Sequence, residues 1–249
     1  MKRRVYQKYV FPLVATVCWL AKRLILQVAG ANYHPIPFTQ PLSAGRGTLT
    51  PVDGRGYYLN REEMCKFLVE FNGFPPDQCS GDDMILFKPF PGVAWVGFYA
   101  PSDEGRVSYD GWGSEDSEKM ESLLNSLTET LLEQGEALGQ HFESTGWKIY
   151  PTLDKQRNVL YFAHGMILNG AEVVSVKFIL FDRYGTVTGS VTPEIGNPST
   201  EELEDTLYKT LAIYRPLAGN SYAEWQAGDK VAARGVVGFL DSLLGIQKE

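Results

Sequence analysis

The sequence predicts an α+β domain: a mostly antiparallel sheet, a β-meander, packed with three to four helices. Three observations carry this. Four β-rich stretches, "GWKIY", "NVLYFAH", "VVSVKFILF" and "GTVTGSV", follow one another through short turns. Apolar residues recur at helical spacing on either side of that run. The strand–helix–strand alternation of a parallel sheet is missing. With 249 residues, 44% hydrophobic and 12% aromatic, the chain has a globular balance and room for one large domain or two small ones.

Residues 1–31 read as a signal peptide or an N-terminal membrane anchor. Lys2, Arg3, Arg4 and Lys8 precede the apolar run "YVFPLVATVCWLA", which falls short of the about 20 residues a membrane span needs. The first acidic residue is Asp53, so seven basic residues stand ahead of any acid and the rest is acidic, within a net charge of −7. A basic, acid-free head before an apolar run is the pattern of membrane targeting. Lys22 and Arg23 interrupt the run, and near the centre of a spanning helix they would cost roughly 5 kcal/mol. An acidic body without a basic stripe argues against nucleic-acid binding. Residues 32–45, "NYHPIPFTQPLSAG", hold three prolines and no period. They read as a linker, which leaves 46–249 as a single α+β domain.

Within the domain, "GTLTPVDGRGYYLN" predicts a short strand pair around a glycine-rich turn. "REEMCKFLVEF" predicts a helix: Met64, Phe67, Leu68 and Phe71 share one face, Asn60 caps the start, and Gly73 with Pro75 and Pro76 ends it. "MILFKPF" and "GVAWVGFYA" are strands about a Pro-Gly turn. The longest helix covers roughly 117–138, striped by Met120, Leu123, Leu124, Leu127, Leu131 and Leu138 and capped by Ser114 or Ser117. In the meander, "FDRYGT" is a hairpin with Gly185 at its turn. "STEELEDTLYKTLAIY" is a helix opened by a Ser199-x-x-Glu202 capping box, with Leu203, Leu207 and Leu211 inward. A last helix is expected from Asp229 to about Ile246, with Ala232, Val236, Phe239, Leu240, Leu243 and Ile246 on its apolar side. Gly235, Gly238 and Gly245 each cost that helix about 1 kcal/mol against alanine, which suits a close backbone neighbour.

Chemical motifs are few. The chain has no GxGxxG after a strand, no Walker loop, no HExxH and no nucleophile elbow. None of His34, His141 and His164 has a spacing that nominates a catalytic partner, so no catalytic or cofactor-binding residues are expected. Asp103, Glu104, Asp110, Glu115, Asp116 and Glu118 lack the alternate-position pattern of a calcium loop, and no metal is expected. Cys18 lies in the apolar run. Cys65 and Cys79 fit neither a CxxC motif nor a zinc site; they read as a disulfide of an exported protein or as two unrelated thiols.

Five stretches taken in order carry a resemblance: "GTLTPVDGRGYYLNREEMCKFLVEFNGFPPD", "GRVSYDGWGSEDSEKMESLLNSLTETL", "GWKIYPTLDKQRNVLYFAHGM", "KFILFDRYGTV" and "LAGNSYAEWQAGDKVAARGVVGFL". They resemble the DUF2167 family, bacterial membrane-anchored proteins of unknown function. The last is similar to the family's closing signature at Gly219, Tyr222, Trp225, Asp229, Lys230, Ala233 and Gly235. The resemblance covers roughly residues 46–240 and rests on the ordered set, not on one motif. It implies an exported domain and supplies no catalytic residues. The resulting expectation is a periplasmic or inner-membrane-anchored envelope domain that binds a membrane or envelope protein without catalysis. The alternative is an envelope hydrolase whose site the sequence does not expose.

Overall fold

In the computed structural model the described residues are 33–72, 83–112, 121–129, 132, 141–168, 170–194 and 197–238. The strands are β1 (Ile36–Pro37), β2 (Leu42–Ala44), β3 (Gly47–Leu49), β4 (Tyr57–Tyr58), β5 (Met84–Phe87), β6 (Val93–Phe98), β7 (Phe142–Asp154), β8 (Val159–Leu168), β9 (Ala171–Phe181), β10 (Thr186–Pro193) and β11 (Tyr214–Pro216). The helices are α1 (Arg61–Asn72), α2 (121–129) and α3 (Thr200–Ile213).

The expected meander is present. β7, β8, β9 and β10 pair antiparallel in succession, and β10 then pairs with β6. The result is an eight-stranded sheet in the order β1-β4-β5-β6-β10-β9-β8-β7, beside a three-stranded sheet β11-β3-β2. Alternation along the strands divides the core in two. One face carries Tyr161, Ala163, Val176, Phe178 and Val191, and packs on Leu203 and Leu207 of α3 and Leu49 of the small sheet. The other carries Trp95, Phe162 and Ile179, and packs on Met64 and Phe67 of α1 and Leu123 and Leu127 of α2. The fold is α+β with helices on both faces of one central sheet.

Local signals place the helix starts. The Asn60 side chain accepts from the Glu63 N–H at 3.0 Å and donates to Glu63 Oε2 at 3.0 Å, which caps α1. Ser199 and Glu202 form the reciprocal capping box of α3. Leu203 and Leu207 of α3 are fully buried. Leu123 and Leu127 of α2 are buried as its stripe requires; Met120, Leu131, Leu138, Ser114 and Ser117 lie outside the described residues, as do Gly73, Pro75 and Pro76.

Three expectations fail. The segment read as a linker carries β1 and β2 and buries Tyr33, Phe38 and Ala44 in the core. Pro37 lies in β1, at the edge of the large sheet, where a missing N–H leaves no ladder bond unmade. The strand pair read in "GTLTPVDGRGYYLN" is also absent: β3 pairs with β2 and β11 in the small sheet, and β4 pairs with β1 and β5 in the large one. Finally, Asp229 does not cap a helix. Residues 227–235 form turns and bends, and helical backbone begins at Val236. The Asp229 carboxylate is committed to Arg183 instead. Val236 is fully buried, and Phe239, Leu240, Leu243, Gly245 and Ile246 lie outside the described residues. No described helix is long and apolar enough to cross a membrane.

Candidate functional site

The end of the sheet where β9 turns into β10 is tied together by two arginine forks. Asp182 closes the turn by accepting from the backbone N–H of Tyr184 and of Gly185, both at 2.8 Å. Arg46, just before β3, donates Nε to Asp182 Oδ2 at 2.8 Å and Nη2 to Oδ1 at 3.0 Å. It also reaches Asp103 Oδ1 at 2.7 Å and the Ser102 carbonyl at 2.8 Å. Arg183 forks Asp229 at 2.6 and 2.9 Å, and this holds the Asp229 carboxyl below its ordinary range. Gly185 is needed here because a Cβ would run into the Ser102 carbonyl.

The same end receives the closing segment. The Arg106 N–H donates to the Lys230 carbonyl at 3.0 Å, and the Ala232 N–H donates to the Arg106 carbonyl at 2.9 Å. Lys230 Nζ donates to the Asp103 carbonyl at 2.6 Å, and the Val236 N–H to the Ser108 carbonyl at 2.8 Å. Gly105 lies so close that a Cβ would stand 2.8 Å from the Lys230 carbonyl oxygen. The runs "GRV", "FDRYGTV" and the closing signature, far apart in sequence, therefore meet at one place.

A stack of rings rises from this junction. Phe181 meets Tyr109 edge-on at 5.4 Å, and Tyr109 lies flat on Tyr222 at 4.7 Å with an interplanar angle of 5°. The guanidinium of Arg106 stands over Tyr222 at 4.4 Å and over Trp225 at 5.0 Å. The Tyr109 hydroxyl donates to Asn158 Oδ1 at 3.0 Å, and the Tyr222 hydroxyl to the Val107 carbonyl at 2.7 Å. Burial and the adjoining Tyr222 push the Tyr109 phenol up, so it stays a donor.

Beside the stack is a cavity of ≈ 440 Å³. Its walls are Leu180, Phe181 and Leu211, with Tyr208 and Tyr222 presented to it, and Arg157, Asn158 and Ser221 bring polar groups. Its volume falls within the range of small-molecule sites, with an apolar wall and a few polar groups. It stands at the ends of β8, β9 and β10, where α3 runs out into β11.

A different polar set lies inside, under α1 and α2. His164, Ser175, Lys177, Ser190 and Thr192 are all buried on one face of the central sheet. His164 Nε2 and Ser144 Oγ are 2.7 Å apart. His164 Nδ1 is buried without a hydrogen-bond partner among the described residues, and burial followed by the Lys177 charge brings the ring down to about 4. Burial lowers Lys177 to about 7. The Tyr99 hydroxyl is 3.1 Å from Ser190 Oγ, and desolvation pushes its phenol up. Ser144 and His164 have the contact of a nucleophile and its base. The base has no orienting group on Nδ1 and little proton affinity at neutral pH, which departs from the geometry that activates a serine.

The other sequence candidates separate. Among the described residues no three His, Cys, Asp or Glu side chains gather as metal ligands. Asp103 pairs with Arg46, and Asp110 bonds Ser108; Glu115, Asp116 and Glu118 lie outside the described residues. His34 pairs with Glu63 at 2.7 Å and so braces the start of α1. Cys65 is disulfide-bonded, while Cys18 and Cys79 lie outside the described residues. The cavity and the arginine–aromatic stack escaped sequence reading, because their members come from five separated segments with no shared spacing.

No curated protein and no solved structure matches the chain. The family model described as Protein of unknown function (DUF2167) matches residues 37–247, and the chain belongs to that family.

Proposed function

We propose that this is a bacterial envelope domain, exported or membrane-anchored through its N-terminal segment, that acts by binding and not by catalysis. The observation that carries the reading is the ≈ 440 Å³ cavity at the tied end of the sheet. Rigid strand ends and α3 form its wall, which suits a preformed recognition site. The basic, acid-free head supports the location. So does the disulfide at Cys65, since disulfides persist in oxidising compartments.

A photo-crosslinking residue placed at Ala212, exposed and lining the cavity, tests the binding reading in native membranes. It is expected to give discrete adducts that the same residue at Arg61, exposed on α1, does not give. Equal adducts from both positions, or none from 212, would refute it. The Ser144–His164 contact favours a second reading, an envelope hydrolase. A fluorophosphonate probe that labels Ser144, and fails after His164→Asn, would establish that alternative.

A further inference from the structure

Three arginines among the described residues are half-buried: Arg46, Arg106 and Arg183. Two of them show how this fold treats a shielded guanidinium. Arg46 forks Asp182, and Arg183 forks Asp229. Arg106 stands apart. Tyr222 and Trp225 lie under its guanidinium at 4.4 and 5.0 Å, but its Nε is enclosed with no acceptor among the described residues. The indole Nε1 of Trp225 is also enclosed, with no acceptor among the described residues. Two neighbouring donors are thus unmatched on one cation–aromatic cluster.

Ring faces attract the cation but accept none of its in-plane N–H bonds. A shielded cation with unmatched donors is costly, and the Nη1–Nη2 edge of Arg106, which is not enclosed, fits the oxygen pair of a carboxylate or a phosphate. The cluster is also held in place beforehand, because the Arg106 backbone is bonded on both sides to the closing segment at Lys230 and Ala232. We propose that Arg106, through its Nη1–Nη2 edge, is the receptor for an oxyanion, a carboxylate or phosphate group, carried by the ligand of this domain, with the Trp225 ring beside it. This rests on the binding reading: Tyr222, which carries Arg106 on its ring, also lines the cavity.

The test titrates the full-length chain, in a mild detergent, with inorganic phosphate and separately with acetate, against sodium chloride at matched ionic strength. The readout is the indole N–H resonance of Trp225, assigned through Trp225→Phe. A saturable shift with phosphate or acetate and none with chloride is expected. Arg106→Lys keeps the charge and loses the fork, so binding is expected to weaken about tenfold or more. Arg106→Gln is expected to abolish it. A response to phosphate alone assigns a phosphate-bearing ligand, and a response to acetate alone a carboxylate. The proposal is overturned by no saturable shift, by an equal response to chloride, or by an unchanged response in folded Arg106→Gln or Arg106→Lys. Adducts at position 212 without an anion response overturn the oxyanion site and leave the binding reading standing; the converse result does the reverse.

Discussion

Replacing Asp182 by alanine tests the arginine-forked turn, on which both the cavity and the Arg106 cluster depend. The carboxylate is 5% exposed and takes four bonds, two from Arg46 and two from the Tyr184 and Gly185 amides. Removing one partner of a buried pair typically costs about 3–5 kcal/mol, because the remaining charge is left uncompensated. Here Arg46 keeps Asp103 at 2.7 Å and the Ser102 carbonyl at 2.8 Å, which places the loss at the lower end, about 3 kcal/mol. Arg46→Ala should cost a similar amount, since it strands the Asp182 carboxylate on two amides. The double variant should fall short of the sum by about 2 kcal/mol, as expected for groups in direct contact. Urea unfolding followed by tryptophan fluorescence measures all three. In heat, a loss of this size corresponds to roughly 6–12 °C in Tm for a domain of this length. A loss below about 1 kcal/mol for Asp182→Ala, or strict additivity in the cycle, would show that the Arg46–Asp182 fork does not hold this turn.

Other outcomes follow from the same structure. Lys177 is charged up to about pH 10.5 when unfolded but only to about 7 when folded. Between these values the unfolded state binds the extra proton, so stability rises with pH and this contribution is lost as pH falls to 7, with a slope near 1.4 kcal/mol per pH unit. Urea unfolding between pH 7 and 10 should show a steeper rise for the native chain than for Lys177→Met; equal slopes would remove Lys177 as the cause. Peptide mapping of unreduced protein should join Cys65 to Cys79, closing a short loop worth roughly 3 kcal/mol in the chain-entropy picture; a Cys18–Cys65 peptide would contradict the pairing. A reporter enzyme active only in the periplasm, fused after Glu249, should be active, and activity from a cytosol-only reporter instead would end the export reading.

Much of the fold was legible because its signals are local. The Asn60 cap, the Ser199–Glu202 box and the continuous β-rich runs of β8 to β10 act within a few residues of themselves. Partner choice was not legible. β3 and β4 are three and two residues long, so their own pattern does not say which sheet completes them. Asp229 carries the local mark of a helix cap, yet a fork from Arg183, 46 positions away, outbids that role. His164 has no partner at a telling spacing in the sequence, because Ser144 reaches it from the neighbouring strand β7. Arg106, Tyr222 and Trp225 have no spacing that announces a cluster, because the contact exists only once the closing segment docks beside residues 105–108.

A fragment screen read by amide shifts in solution tests recognition at the tied end of the sheet without knowledge of the natural partner. Bound fragments are expected to concentrate their shifts at Asn158, Tyr208, Leu211, Ser221 and Tyr222, which line the cavity. Fragments that bind only elsewhere, for instance over α1, or that leave those amides unmoved at saturation, would contradict it.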